Sequence, residues 1–151
     1  MEMTVDQALQ KGIAAHNSGD LQEAEKFYRT ILRVQPKHSH ANHNLGLIAV
    51  SMHQPRVALP LFKNAIDGNP TIKQYWFSYI DLLTKEKQFK NAKYVIKKAK
   101  KAGFLGENLK ALEIQLLRKI KGRSKKSSIG LKSPSEVEMK RLLANYQKGG
   151  V

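Results

Sequence analysis

The chain has 151 residues and a formal net charge of +15, with 41% apolar residues and no cysteine. That length suits one ordinary domain or about four short helical repeats, and the lack of cysteine removes disulfides and thiolate chemistry. The start MEMTVDQALQ is acidic and not a secretory signal, and no uncharged apolar run approaches the ~20 residues that cross a bilayer, so a cytoplasmic protein without a membrane span is expected.

Val5, Ala8, Leu9, Gly12, Ile13 and Ala15 recur near 3.6-residue spacing, which predicts a helix over 5–18, broken by Ser18-Gly19-Asp20. Asp20 is placed to cap the next helix, with Glu23 completing a capping box. That helix runs to about Val34, with Leu21, Ala24, Phe27, Tyr28, Ile31 and Leu32 inward, and Pro36 stops it. A second pair repeats the plan. One helix covers 41–52, and Pro55 opens the next where its missing N–H costs little. Pro60 falls inside that helix and is expected to bend it before Gly68-Asn69-Pro70 ends it. The third pair carries Tyr75, Trp76, Tyr79, Ile80, Leu82 and Leu83 on its first helix. Phe89, Ala92, Tyr94, Val95, Ile96 and Ala99 form the apolar part of its second, and Gly103 closes it. A seventh helix over 107–120, with Leu109, Leu112, Ile114, Leu116 and Leu117, is expected to cover the end of the stack. Residues 121–133, beginning KGRSKKSSIGLK, are basic and Ser/Gly-rich and read as a flexible linker. Ser133-Pro134-Ser135-Glu136 then starts a last helix over 134–148.

A longer period runs through these elements. Gly12, Ala24, Tyr28, Ile31 and Pro36 recur 34 residues later as Gly46, Ala58, Phe62, Ala65 and Pro70. A further 34 residues on stand Ile80, Ala92, Ile96, Ala99 and Phe104. Repeated helix pairs signal an all-α solenoid, and such arrays bind other molecules more often than they catalyse. No nucleophile elbow, phosphate loop, dinucleotide fingerprint or paired-carboxylate motif is present, so no enzyme activity and no cofactor are expected.

Residues 5–106 resemble three tetratricopeptide repeats, about 5–38, 39–72 and 73–106. Gly12, Ala24, Tyr28 and Pro36 fill the signature slots of the first copy. Leu45, Gly46, Ala58, Phe62, Ala65 and Pro70 fill the second, and Trp76, Ala92 and Ala99 the third. The third copy departs from the pattern, with Lys87 where Gly19 stood and Phe104 where Pro36 stood. The resemblance implies a right-handed α-α superhelix of antiparallel helix pairs over 5–120 and a role as a non-catalytic protein-interaction module. The helix over 134–148 resembles the first helix of a further repeat cut short at Val151, so the chain is expected to be one piece of a longer array. Bacterial proteins place such repeats ahead of transferase domains, and a substrate-recruiting arm of a larger transferase is the alternative this implies.

In the family the first helix of each pair lines a concave face. The candidates here are Leu9, Ile13, His16 and Asn17; His40, His43, Asn44, Leu47 and Ser51; and Gln74, Phe77, Ser78, Asp81 and Thr84. Amide, imidazole and apolar groups of this kind suit an extended peptide. One subfamily holds the C-terminal carboxylate of chaperones through Lys, Asn and Arg. The matching positions here are Leu9, Ile13, Asn44, Gln74 and Ser78, of which only Asn44 agrees, so that ligand is not expected. His40 and His43 have chelating spacing, with His16 as a third group, but no carboxylate or Cys completes a motif and no metal is assigned.

The charge is uneven. Residues 1–72 hold 7 Lys/Arg against 6 Asp/Glu, whereas 73–151 hold 20 against 6, a net of +14. Lys97, Lys98, Lys100, Lys101, Lys121, Arg123, Lys125 and Lys126 make a basic end suited to an acidic protein partner, or to nucleic acid or another polyanion. A solvated, solubilising face is the plainer alternative.

Overall fold

A computed structural model describes residues 2–104 and 106–127, with side chains as far as residue 122. These residues form seven helices and no strand: α1 (Val5–Asn17), α2 (Leu21–Val34), α3 (Ser39–Ser51), α4 (Pro55–Gly68), α5 (Lys73–Lys85), α6 (Phe89–Lys101) and α7 (Glu107–Ser127). The chain divides into two compact units, one ending at Leu82 and the other beginning at Leu83.

In the first unit, α1 packs on α2, α2 on α3, and α3 on α4. Thr4 caps α1 through a reciprocal box: its Oγ1 accepts from the Gln7 N–H at 3.1 Å, and Gln7 Oε1 accepts from the Thr4 N–H at 3.0 Å. Asp20 caps α2 by accepting from the Glu23 N–H at 3.2 Å. The return bond expected from Glu23 is not among those of this cap, so the box belongs to α1. Pro60 sits within α4, which runs without a break from Pro55 to Gly68.

The small and large slots of the repeat explain how paired helices come close. The ring of Tyr28 lies against the backbone of Gly12, and the ring of Phe62 against that of Gly46. Both rings are buried, among Ala8, Ala24 and Ile31 in the first case and among Ala49, Ala58 and Leu82 in the second. Two register-matched side chains tie the turns between pairs. Asn42 Nδ2 donates to Pro36 O at 3.0 Å, and 34 residues later Trp76 Nε1 donates to Pro70 O at 2.8 Å.

The turn inside each pair repeats the same backbone bond. The N–H of Asp20 donates to Ala15 O at 2.9 Å, that of Gln54 to Ala49 O at 2.8 Å, and that of Gln88 to Leu83 O at 2.9 Å. The residue before each donor is left-handed: Gly19 at φ 86°, His53 at 57° and Lys87 at 62°. The drift from Gly19 to Lys87 therefore leaves the turn geometry intact, at a conformational cost that glycine avoids.

In the second unit, α6 buries Ala92, Val95, Ile96 and Ala99, and α7 buries Leu109 and Leu116 against it. Lys100 of α6 and Glu113 of α7 pair at 3.0 Å. Tyr94, expected on the apolar side of α6, is instead 62% exposed, with Lys98 Nζ 5.3 Å from its ring centre. The linker expected from residue 121 is also corrected. The backbone is helical through Ser127. Lys and Arg are good helix formers, and 121–127 contain no proline, so a polar composition does not by itself end the helix. Residues 128–133 and the helix expected over 134–148 lie outside the described residues.

Candidate functional site

The first-helix face of the first unit is built by α1, α3 and the part of α5 up to Leu82. On α1, Leu9, Ile13 and His16 are half-buried and Asn17 is exposed. On α3, His40 and Leu47 are exposed and Asn44 is half-buried; on α5, Gln74 is exposed and Phe77, Ser78 and Asp81 are half-buried. Each candidate stands on a helix whose opposite side is committed to the core, which fixes its direction.

Two polar clusters order this face. The Tyr28 hydroxyl accepts from Asn44 Nδ2 at 3.2 Å and meets His16 Nδ1 at 3.3 Å, which links α1, α2 and α3. Burial raises the Tyr28 pKa, and the Asn44 bond opposes that rise. The second cluster joins α3 to α5: His43 Nε2 meets Ser78 Oγ at 2.8 Å, and Gln74 Nε2 donates to the same oxygen at 3.5 Å.

His43 is a correction to the sequence-derived face. It is 5% exposed, and its ring centre lies 4.8 Å from that of Tyr75 and 5.5 Å from that of Phe62. Burial, with a smaller contribution from His40, lowers its pKa to about 4, so the imidazole is neutral at pH 7. It fastens two helices instead of offering a nitrogen to a ligand. Thr84 is likewise buried. The same burial separates His43 from His40 and His16 as chelating groups. Among the described residues, no three His, Asp or Glu side chains gather as metal ligands.

Val50 is the residue that the sequence-derived set lacks. It is 36% exposed, next to Leu47 at 38%. The 34-residue register could have found it, because Val50 falls between His16 and Thr84 in the series 16, 50, 84. Ser51, its neighbour, is exposed and donates its hydroxyl hydrogen to Ile48 O at 2.7 Å.

On the second unit, Lys97, Lys98, Lys100, Lys101 and Lys121 are exposed. Arg123, Lys125 and Lys126 lie on the helical backbone of α7, and their side chains are outside the described residues. Among the described residues, no helix is long and apolar enough to cross a membrane.

No family model matches the chain, and no curated protein matches it. Solved structures do. The chain is similar to the Sgt2 TPR domain from Aspergillus fumigatus, at 17% identity and a TM-score of 0.69, covering 85% of this chain and 87% of that one. It is similar to a MamA D159K mutant, at 22% identity and a TM-score of 0.65, over 83% of this chain and 72% of that one. It is also similar to PilF of Pseudomonas aeruginosa, at 21% identity and a TM-score of 0.65, over 94% of this chain and 67% of that one. Identities this low carry the fold and nothing finer. Helix pairs at a 34-residue period, small residues facing large rings and these structural neighbours agree: the chain has the all-α solenoid fold of tetratricopeptide-repeat proteins.

Proposed function

We propose that the chain is a non-catalytic interaction module that holds an extended segment of a partner protein along the first-helix face of α1, α3 and α5. The observation that carries this reading is the pair Leu47 and Val50. Both are aliphatic and more than a third exposed, whereas the other apolar members of the face, Leu9, Ile13 and Phe77, are half-buried among amides, hydroxyls, imidazoles and the Asp81 carboxylate. Apolar side chains of a bound segment would rest on Leu47, Val50 and Phe77, while Asn17 and Gln74 would bond its backbone. The face contains no Lys or Arg among the residues named, so the segment it suits is neutral and apolar, not acidic. The Ser78–His43 pair supports the non-catalytic part, because the imidazole is buried and packed against two aromatic rings.

The test is a random peptide library displayed on phage and panned on the full chain. Selected peptides are then titrated calorimetrically against wild type, Leu47→Asp, and Lys26→Glu on the exposed side of α2. Leu47→Asp should weaken binding about tenfold or more, as loss of a central apolar anchor does, and Lys26→Glu should leave it unchanged. Failure to select any binder, or equal binding to Leu47→Asp, refutes the reading.

A further inference from the structure

A second surface lies within the second unit. Between α6 and α7 runs a groove of about 300 Å³ with Ile96, Leu116 and Leu117 on its floor and Lys93, Lys97 and Lys100 on its rim. Ile96 and Leu116 are buried, while Leu117 is 40% exposed. The three lysines are four and three residues apart on one stripe of α6, where like charges repel. Glu113 neutralises Lys100 at 3.0 Å. Lys93 and Lys97 have no ion-pair partner among the described residues, and residues 73–151 hold only 6 acids to offset 20 bases. Lysine stems laid over apolar surface account for the covered floor. They do not account for two ammonium groups, without an ion-pair partner among the described residues, along one edge of it.

We propose that the α6–α7 groove binds an acidic amphipathic helix of a partner protein. Its apolar side seats on Ile96, Leu116 and Leu117, and carboxylates one helical turn apart pair with Lys93 and Lys97. The apolar floor selects this occupant over nucleic acid, whose backbone has nothing to place there. Charge complementarity selects it over a neutral helix, and gives the association a salt dependence.

The probe is a fluorescein-labelled, end-capped 15-residue peptide of Leu and Glu only, with Leu at helical a and d spacing. It is titrated by anisotropy against the full chain at low and moderate salt. Two comparison peptides are used, one a scramble of the same composition and one with Lys in place of every Glu. The ordered acidic peptide should bind, more weakly at higher salt, and the other two should not. Lys93→Ala combined with Lys97→Ala should weaken it about five- to tenfold, as loss of two exposed pairs does. Leu117→Glu should abolish it; all three side chains are exposed, and circular dichroism confirms that the variants fold. Leu47→Asp should leave this titration unchanged, so this proposal and the first-helix reading fail separately. Equal binding by the scrambled peptide, full displacement by a single-stranded DNA oligonucleotide, or an unaffected lysine double variant would each overturn the proposal. So would no binding at all, as when another part of the chain or a second copy fills the groove.

Discussion

Gly46→Ala tests the closest helix approach in the repeat. The added Cβ would stand 2.5 Å from Cε1 and 2.7 Å from Cδ1 of Phe62, inside van der Waals contact. The ring cannot swing away, because it is 1% exposed and lies among Ala49, Ala58 and Leu82 with His43 on one side. Forcing a methyl group into such a site costs about 1–3 kcal/mol. Alanine's helix preference over glycine returns about 1 kcal/mol. The net expectation is a loss of about 1 kcal/mol. Gly122→Ala in α7 isolates the propensity effect, because nothing lies within 4 Å of its added Cβ, and it should raise stability by about 0.5–1 kcal/mol. Phe62→Leu placed in the Gly46→Ala background should cost less than it does in wild type, since the smaller side chain relieves the contact. Urea denaturation followed at 222 nm measures wild type and all four variants. A Gly46→Ala chain stabilised like Gly122→Ala, or strict additivity with Phe62→Leu, would refute the argument.

Two further predictions concern the histidine and the turns. His43 has a pKa near 4 in the native state against 6.5 when unfolded, so between these values the unfolded chain binds more protons. Stability should therefore fall as pH drops from 6.5 toward 4, by about 2–3 kcal/mol from this group. His43→Gln should flatten that part of the profile, and identical slopes for variant and wild type would show that the group is not responsible. Lys87→Gly and His53→Gly should each raise the thermal midpoint, by about 0.5–1 kcal/mol of stability, because glycine adopts the left-handed conformation both residues hold at positive φ. A lower midpoint in both would mean that these side chains contribute more than their backbone strain costs.

Much of this protein is local in origin. The 34-residue period, the small slots at Gly12 and Gly46 and the rings at Tyr28 and Phe62 are sequence facts, and helix pairing follows once small residues must face large ones. Capping at Thr4 and Asp20 is equally local, although assigning the reciprocal box to Asp20 overlooked Thr4 and Gln7. Other features depend on what a residue meets across the fold. His43 reads as a groove residue from its place on α3. It is buried because α5 brings Tyr75 and Ser78 over it, and no pattern within α3 encodes that neighbour. Tyr94 has the composition of a core residue but finds solvent and Lys98, and Lys87 takes a glycine's conformation because the turn must join two helices of fixed length. The extension of α7 through Ser127 is also invisible to composition, since charged residues favour a linker and a solvated helix alike. Periodicity within the chain therefore determined which helices form and which residues pair between them. Only tertiary packing decided which polar side chains were left facing outward, because burial is set by the neighbouring helix and not by the residue itself.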